Sequence, residues 1–333
     1  MSSLNLSEFV NNEFSKDAYF DFDKFREVVR DGVVFLNEVL DEGLPLHPLQ
    51  EQQETVRNLR QIGLGVMGIA DMLIKLGIKY GEKVSLQISD RIAKVLINEA
   101  LKQSALLAKE HGTYPDYAND IVETEFFKFV AEQDTVKLVK KYGLRNSQLL
   151  TIAPTGSIST MLGVSGGIEP IFDISYTRTT QTLHNEDVEY EVFTDIVEEY
   201  MNSKGIYSKD NLPNIFVTAH TLNARERIDI QSVWQKYIDA SISSTVNLDN
   251  SATLEDIKDI YMYAWERGLK GITVYRDGCA RSGILGTKSE ENKTEVSDLE
   301  LIEQNICPDC KGELINTGGC HECVSCGFSP CSI

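Results

Sequence analysis

Three stretches in the first half of the chain carry apolar residues at helical spacing. Over residues 22–41, Phe25, Val28, Val29, Val33, Leu36, Val39 and Leu40 recur every three or four positions, which predicts a helix with one packed face. Residues 55–76 are richer in apolar side chains and include Gly63, Gly65 and Gly68, so a buried helix with close backbone contacts is expected there. A third helix is predicted over 84–110, with Ile88, Ile92, Val95, Leu96 and Leu107 on one side and a stop at His111-Gly112.

Past residue 147 the pattern shortens. Apolar runs at 149–153, 171–176, 215–218, 245–248 and 272–275 read as strands, and a helix is expected over about 254–267 between the last two. Strands alternating with helices predict an α/β architecture with parallel strands. Residues 286–306 are polar, charge-rich and free of aromatics, which reads as a flexible linker. It joins a main domain, 1–285, to a cysteine-rich tail, 307–333.

Composition narrows the function classes. The formal net charge of −19 argues against a nucleic-acid surface, because phosphate backbones are bound by clustered Lys and Arg. No run of 18 predominantly apolar residues exists, since the long uncharged stretch at 146–168 is broken by Asn, Gln, Ser, Thr, Gly and Pro, and the start, M-S-S-L-N-L-S-E-F, has neither a basic segment nor an apolar one, so no membrane partner and a cytoplasmic location are expected. In a reducing compartment, cysteines serve more readily as metal ligands or redox thiols than as structural disulfides.

Two turns carry candidate chemistry. In L-L-T-I-A-P-T-G-S-I-S-T-M-L an apolar strand runs into Pro154-Thr155-Gly156-Ser157 and then an amphipathic helix led by Ile158, Met161 and Leu162. A small-residue turn at a helix N-terminus offers free N–H groups and hydroxyls to an anion, phosphate above all. The plainer reading is a tight turn with Ser or Thr as N-cap. Ser165-Gly166-Gly167-Ile168-Glu169-Pro170 is a second glycine-rich turn, which either admits a ligand close to backbone or merely reverses the chain.

Six of the seven cysteines lie in the tail, C-P-D-C-K-G-E-L-I-N-T-G-G-C-H-E-C-V-S-C-G-F-S-P-C-S-I. Cys307, Cys310, Cys323 and Cys326 form a C-x2-C-x12-C-x2-C pattern suited to tetrahedral Zn²⁺, leaving Cys320 and Cys331 over. A competing set uses Cys307, Cys310, Cys320 and Cys323, leaving Cys326 and Cys331. Glycine after Cys326 favours the first, and His321 reads as a neighbour of the ligands.

The strings N-S-Q-L-L-T-I-A-P-T-G-S-I-S, S-G-G-I-E-P-I-F, S-S-T-V-N-L and K-G-I-T-V-Y-R-D-G, in this order and ahead of a cysteine-rich tail, resemble the C-terminal half of adenosylcobalamin-dependent, class II ribonucleotide reductases. The resemblance implies the second half of a ten-stranded α/β barrel with a zinc-ribbon tail, Ser2 to Phe9 matching the strand after the family's C-N-L-G-S element. It implies that Ala153, Pro154, Thr155, Gly156 and Ser157 sit near substrate phosphates and that Gly167, Ile168 and Glu169 form the adjoining loop. Asn247 and Leu248 receive no role. Tyr275 is followed by Arg276, not by a second tyrosine, which resembles the cobalamin-dependent enzymes and not class I. Cys279 stands where the family leads one to expect Ser.

The family's N-x-C-x-E arrangement, bearing the radical cysteine and its glutamate, does not occur in this sequence, and neither member of the active-site dithiol is found. The expectation is therefore a partial ribonucleotide reductase, an oxidoreductase component inactive alone, with an N-terminal reductase polypeptide supplying the missing residues. The resemblance further implies adenosylcobalamin in the complete enzyme, a ribonucleotide substrate, an oligomer, and a tail dithiol, Cys320 with Cys331 or Cys326 with Cys331, recharged by thioredoxin or a similar reductant. The alternative is a zinc-ribbon binding or assembly protein without catalysis.

Overall fold

Asp21 opens the first long helix: its carboxylate accepts from the N–H groups of Asp23 and Lys24, and Phe25, Val29, Val33 and Leu36 then fall on one buried face. The structure is a computed structural model that describes residues 1–181, 187–278, 305–307, 310–317, 320–323 and 325. The chain divides into two units, Met1–Ile284 and Leu285–Ile333. No helix among the described residues is long and apolar enough to cross a membrane.

The first unit begins with strands β1 (Ser2–Asn5), β2 (Val10–Asn11) and β3 (Tyr19–Phe20), followed by helices α1 (Phe22–Gly43) and α2 (Gln50–Leu59). Strand β4 (Leu64–Met67) leads into α3 (Ile69–Lys75), α4 (Lys83–His111), α5 (Glu125–Val130), α6 (Gln133–Tyr142) and α7 (Gly156–Met161). A hairpin, β5 (Ser175–Gln181) and β6 (Asp187–Phe193), precedes α8 (Asp195–Lys204), α9 (Ala224–Gln235), β7 (Thr245–Leu248), α10 (Leu254–Glu266) and β8 (Thr273–Arg276).

Five extended segments run parallel in sequence order. β1 pairs with β4, Leu64 bridges Leu150, Ile152 bridges Ile242, the chain continues into β7, and β7 pairs with β8. Helices connect these segments, and all four residues of β4 are buried, as expected of parallel strands covered on both faces. The architecture is α/β.

The helices predicted at 22–41, 84–110 and 254–267 are α1, α4 and α10. α4 stops where expected, at Gly112 with φ of +82°, and Thr253 and Asp256 form a capping box at the start of α10. Val39, placed on the packed face of α1, is 50% exposed because it lies at the edge of that face, while Leu40 beside it still packs against the core.

The single helix predicted over 55–76 is instead three elements. α2 ends at Leu59 with Arg60 left-handed (φ +47°), β4 follows, and Gly68, at φ +71°, opens α3. The reason is tertiary. Leu64 N donates to Leu149 O and Thr151 N to Leu64 O, and a side chain at Gly65 would collide with the Thr151 carbonyl oxygen. Parallel pairing outweighed the local helical pattern. The expected strand at 149–153 is the centre of this pairing, while 215–218 is a turn with one bridge, Thr218 to Ile171. The run at 171–176 enters the antiparallel hairpin β5–β6, not a parallel strand.

In the second unit β9 (Leu314–Thr317) pairs antiparallel with β10 (Cys320–Cys323), and Ile306 bridges Glu313. Residues 286–304 of the expected linker, and Cys279, Cys326 and Cys331, lie outside the described residues.

Gly65→Ala is expected to destabilise the protein by about 2 kcal/mol or more, since the obstacle is backbone and cannot rotate aside. Gly43→Ala, with open space and helical φ, should be neutral or stabilising by up to about 1 kcal/mol. Urea unfolding midpoints of the two variants separate these outcomes.

Candidate functional site

The strand at 149–152 is held on both sides by backbone and at its start by a carboxylate. Asp239 accepts from Leu149 N and Leu150 N at 2.8 and 2.7 Å, and burial pushes that carboxyl above the usual range against these bonds. At its carboxyl end Ile152 N donates to Ser241 O, and the chain turns at Pro154-Thr155 into α7.

Thr155 is left-handed, φ +54°, and its side chain does not cap α7. Its Oγ1 instead accepts from Gly167 N at 2.9 Å. The first N–H groups of a helix have no partner within it, and here no side chain fills the gap. Gly156 and Ser157 are exposed at this end, whereas Thr155 is buried. The N-cap expected on the plainer reading is therefore not made.

The two predicted turns are brought together. A Cβ at Gly166 would stand 2.9 Å from Pro154 O, and one at Gly167 3.2 Å from Ala153 O, with Gly167 at φ +47°. Glycine is required at both positions for the turns to touch. Ile168 differs from a ligand-facing residue: its side chain is 1% exposed in the core, and its carbonyl accepts from Tyr80 Oη at 2.6 Å and Arg227 Nη1 at 3.0 Å. Glu169 is half-exposed. Its Oε1 accepts from Thr245 N at 3.1 Å and lies 2.8 Å from Arg227 Nη2, close enough for an ion pair though not aligned for a hydrogen bond.

Arg227, 4% exposed, thus ties the loop at 168–169 to Tyr80, whose own ionisation burial pushes up. On the other side, Asp71 Oδ2 accepts from Ser165 N at 2.8 Å and Ser165 Oγ at 2.6 Å, while Ser165 Oγ accepts from Ala70 N. Sequence reading missed Arg227 and Tyr80, which are distant along the chain and carry no local pattern. Asp71 did leave a signal, as a carboxylate inside an apolar run. Ile158, Met161 and Leu162, expected to be the apolar side of α7, are 41%, 76% and 53% exposed because this short helix lies with that side outward.

In the tail unit, Cys307, Cys310 and Cys323 place their Sγ atoms within 4.8 Å of one another. Cys310 and Cys323 stand 3.4 Å apart, and Cys307 and Cys323 are buried with Leu314. The turn that sets them is backbone-bonded: Lys311 N donates to Cys307 O and Cys307 N to Gly312 O, with Lys311 left-handed. Tetrahedral thiolates on zinc, with bonds of about 2.3 Å, stand about 3.8 Å apart, so the three sulfurs fit. This trio belongs to both sequence-derived ligand sets. The side chains of Cys320 and His321, and Cys326 and Cys331 entirely, lie outside the described residues.

Residues 1–275 match the family model described as the barrel domain of ribonucleotide reductase. The chain belongs to that family. A vitamin B12-dependent ribonucleoside-diphosphate reductase of Thermoplasma acidophilum is 35% identical over 322 residues, covering 91% of this chain and 39% of the relative. A Mycobacterium tuberculosis protein of the same description is 30% identical over 315 residues, covering 90% and 42%. The structure of the Actinobacillus ureae class Id ribonucleotide reductase alpha subunit superposes with a TM-score of 0.61 at 24% identity over 83% of this chain and 49% of its own, a likeness of fold. The chain spans about two fifths of the length of these curated relatives and corresponds to the C-terminal part of the reductase.

Asp71 sets a pH dependence. Burial pushes its carboxyl above the ordinary value of 3.8, outweighing the hydrogen bonds from Ser165. The native state then holds a proton that the unfolded state has released, so this residue's contribution to stability falls as pH rises from 3.8 through the raised folded value. Asp71→Asn removes that fall: its stability relative to wild type should shift in the variant's favour with rising pH. Urea unfolding of both proteins at acidic and neutral pH checks this, and a constant difference contradicts it.

Proposed function

We propose that this chain is the C-terminal part of a cobalamin-dependent ribonucleotide reductase, supplying substrate phosphate binding, one half of the barrel and a redox tail. The observation that carries the reading is the uncapped N-terminus of α7 at the carboxyl end of a parallel strand, with Thr155 Oγ1 committed to Gly167. Ligands of parallel α/β folds bind at that end of the strands. Backbone N–H groups around Gly156 and Ser157 would receive the nucleotide's phosphate oxygens. Ala153, Pro154 and Thr155 shape the turn. Gly167 and the Ile168–Glu169 backbone hold it from behind, with Arg227 fixing the support.

The radical cysteine, its glutamate and the active-site dithiol come from an N-terminal polypeptide or region, together with the adenosylcobalamin that generates the radical. No residue of this chain is assigned to that cofactor. In the tail, Cys307, Cys310, Cys323 and Cys326 would bind Zn²⁺, the zinc stabilising a segment too small for its own core. Cys320 and Cys331 would then form the dithiol that reduces the active-site disulfide, becoming a disulfide themselves as two electrons and two protons pass across. Thioredoxin or a similar dithiol donor returns them to the reduced state. Zinc ligation by Cys320 would leave Cys326 and Cys331 for the same role.

Combined with the segment of the Thermoplasma acidophilum reductase that precedes its aligned region, the chain should form deoxynucleotide when adenosylcobalamin and thioredoxin are present, and should form none alone. Cys331→Ser should abolish sustained turnover while leaving a single round in the pre-reduced complex. Activity of the isolated chain, or thioredoxin-driven turnover unchanged in that variant, would contradict the assignment.

Purified chain is expected to release one zinc ion per polypeptide on thiol modification, detected with a metallochromic dye. Cys307→Ser should lose it, whereas Cys320→Ser retains it. Loss in both would move Cys320 into the ligand set.

A further inference from the structure

The second turn depends on its surroundings for its shape. Gly166 and Gly167 stand at its centre without side chains to restrict them, so the course of 165–169 is set by what grips its ends. At one end Ser165 O accepts from Gly68 N at 2.8 Å, and Ser165 N donates to Asp71. At the other the main grip is on one carbonyl, that of Ile168, which accepts from Tyr80 Oη at 2.6 Å and Arg227 Nη1 at 3.0 Å.

Of these two donors, Tyr80 is the one built to stay still. Its side chain is 3% exposed and turns about only two torsions. It sits in a tight connection between α3 and α4, with Gly77 at φ +70° and Gly81 at φ +89°. A Cβ at Gly81 would stand 3.0 Å from Glu226 Cβ and 3.3 Å from Leu222 Cδ1, so this connection lies against the start of α9. Arg227 reaches from α9 on a long stem, and its Nε and Nη2 have no aligned acceptor among the described residues. Its Nη1 donates to Tyr80 Oη at 3.0 Å as well as to the Ile168 carbonyl. The tyrosine hydroxyl therefore gives to the carbonyl and receives from the guanidinium, and it places both.

We propose that Tyr80 is a positioning residue for the substrate phosphate, a role that rests on the reading under Proposed function and adds to it the side chain on which the turn depends. Tyr80 acts through its neighbours. Its hydroxyl fixes Ile168 O, which holds Gly167 in place, and Gly167 N donates to Thr155 Oγ1 at 2.9 Å and so keeps that hydroxyl away from α7. Without the tyrosine hydroxyl the carbonyl loses its shorter bond, and the loop gains freedom at its two glycines. Thr155, standing at the N-cap position, then turns back to bond the first N–H groups of α7 and competes with phosphate for them.

The full chain is titrated with inorganic pyrophosphate, followed by phosphorus NMR, and amide hydrogen exchange is read at Gly167. Tyr80→Phe removes one oxygen and keeps the packed ring. It should weaken pyrophosphate binding about five- to tenfold, the worth of one buried hydrogen bond, and speed exchange at Gly167. In a Thr155→Ala background, where no hydroxyl can return to α7, the same substitution should change affinity less than about twofold. Tyr237→Phe is the structural control. It deletes a hydroxyl bonded to Asp90 Oδ1 at 3.2 Å just past the far end of α9, and should leave binding and Gly167 exchange as in wild type. Equal affinity in Tyr80→Phe and wild type overturns the role of Tyr80, as does an equal loss in both Thr155 backgrounds or in Tyr237→Phe. No pyrophosphate binding by wild type overturns the reading under Proposed function, and the role of Tyr80 with it.

Discussion

The candidate site depends on how the strand at 149–152 is fixed. Its neighbours approach so closely that one position beside it, Gly65, cannot carry a side chain, and its first two N–H groups are taken by the partly buried carboxylate of Asp239. With its length set by pairing on both sides, the strand delivers Pro154-Thr155 to one place at its carboxyl end. A left-handed Thr155 there is a conformation that β-branched residues rarely adopt. It persists because its hydroxyl has a buried partner in Gly167 N. The strain and the hydrogen bond belong to one device, in which the residue that would ordinarily cap α7 is turned away from it.

That device needs a rigid partner, and the second turn is rigid for reasons beyond its own sequence. Its ends are held by opposite chemistry: Ser165 by the carboxylate of Asp71, Ile168 and Glu169 by the guanidinium of Arg227. Both charged groups are almost fully buried, which costs stability unless each is paired and hydrogen-bonded. Asp71 shows the cost directly, since burial raises its proton affinity despite two hydrogen bonds. A loop that only reversed the chain would need neither group. Keeping both fixed suits a loop whose backbone must not move when an anion binds beside it.

The sequence made part of this visible, and the division has a physical cause. α1, α4 and α10 are long, and α1 and α10 have side-chain caps while α4 stops at a glycine; such signals lie within a few residues of one another. The glycines near 63–68 were visible, but their meaning was not, because a four-residue strand between two helices has the same apolar composition as a helix turn. Only pairing with residues about 85 positions away separates the two. The two glycine-rich turns could be picked out by composition, whereas their contact through Thr155 and Gly167 required the fold. Arg227 looked like any other charged residue on a helix. Asp71 differed, since a carboxylate in the middle of I-A-D-M-L-I has to be explained by a partner somewhere.

The unpaired strand edges and the missing chemistry are two aspects of one division of labour. On the proposed reading this chain would hold the groups that bind: backbone donors, the glycines that admit them, and the buried charged groups that keep them still. The N-x-C-x-E arrangement that the resemblance associates with the radical cysteine does not occur in its sequence. Binding donors can be built within one parallel run because they need only backbone at a strand end. A radical centre must face those donors across an enclosed space that excludes water, and among the described residues the parallel run ends in two unpaired edges, at β1 and β8. On the proposed reading, closing the edges and supplying the reactive groups would be tasks for the same N-terminal polypeptide or region.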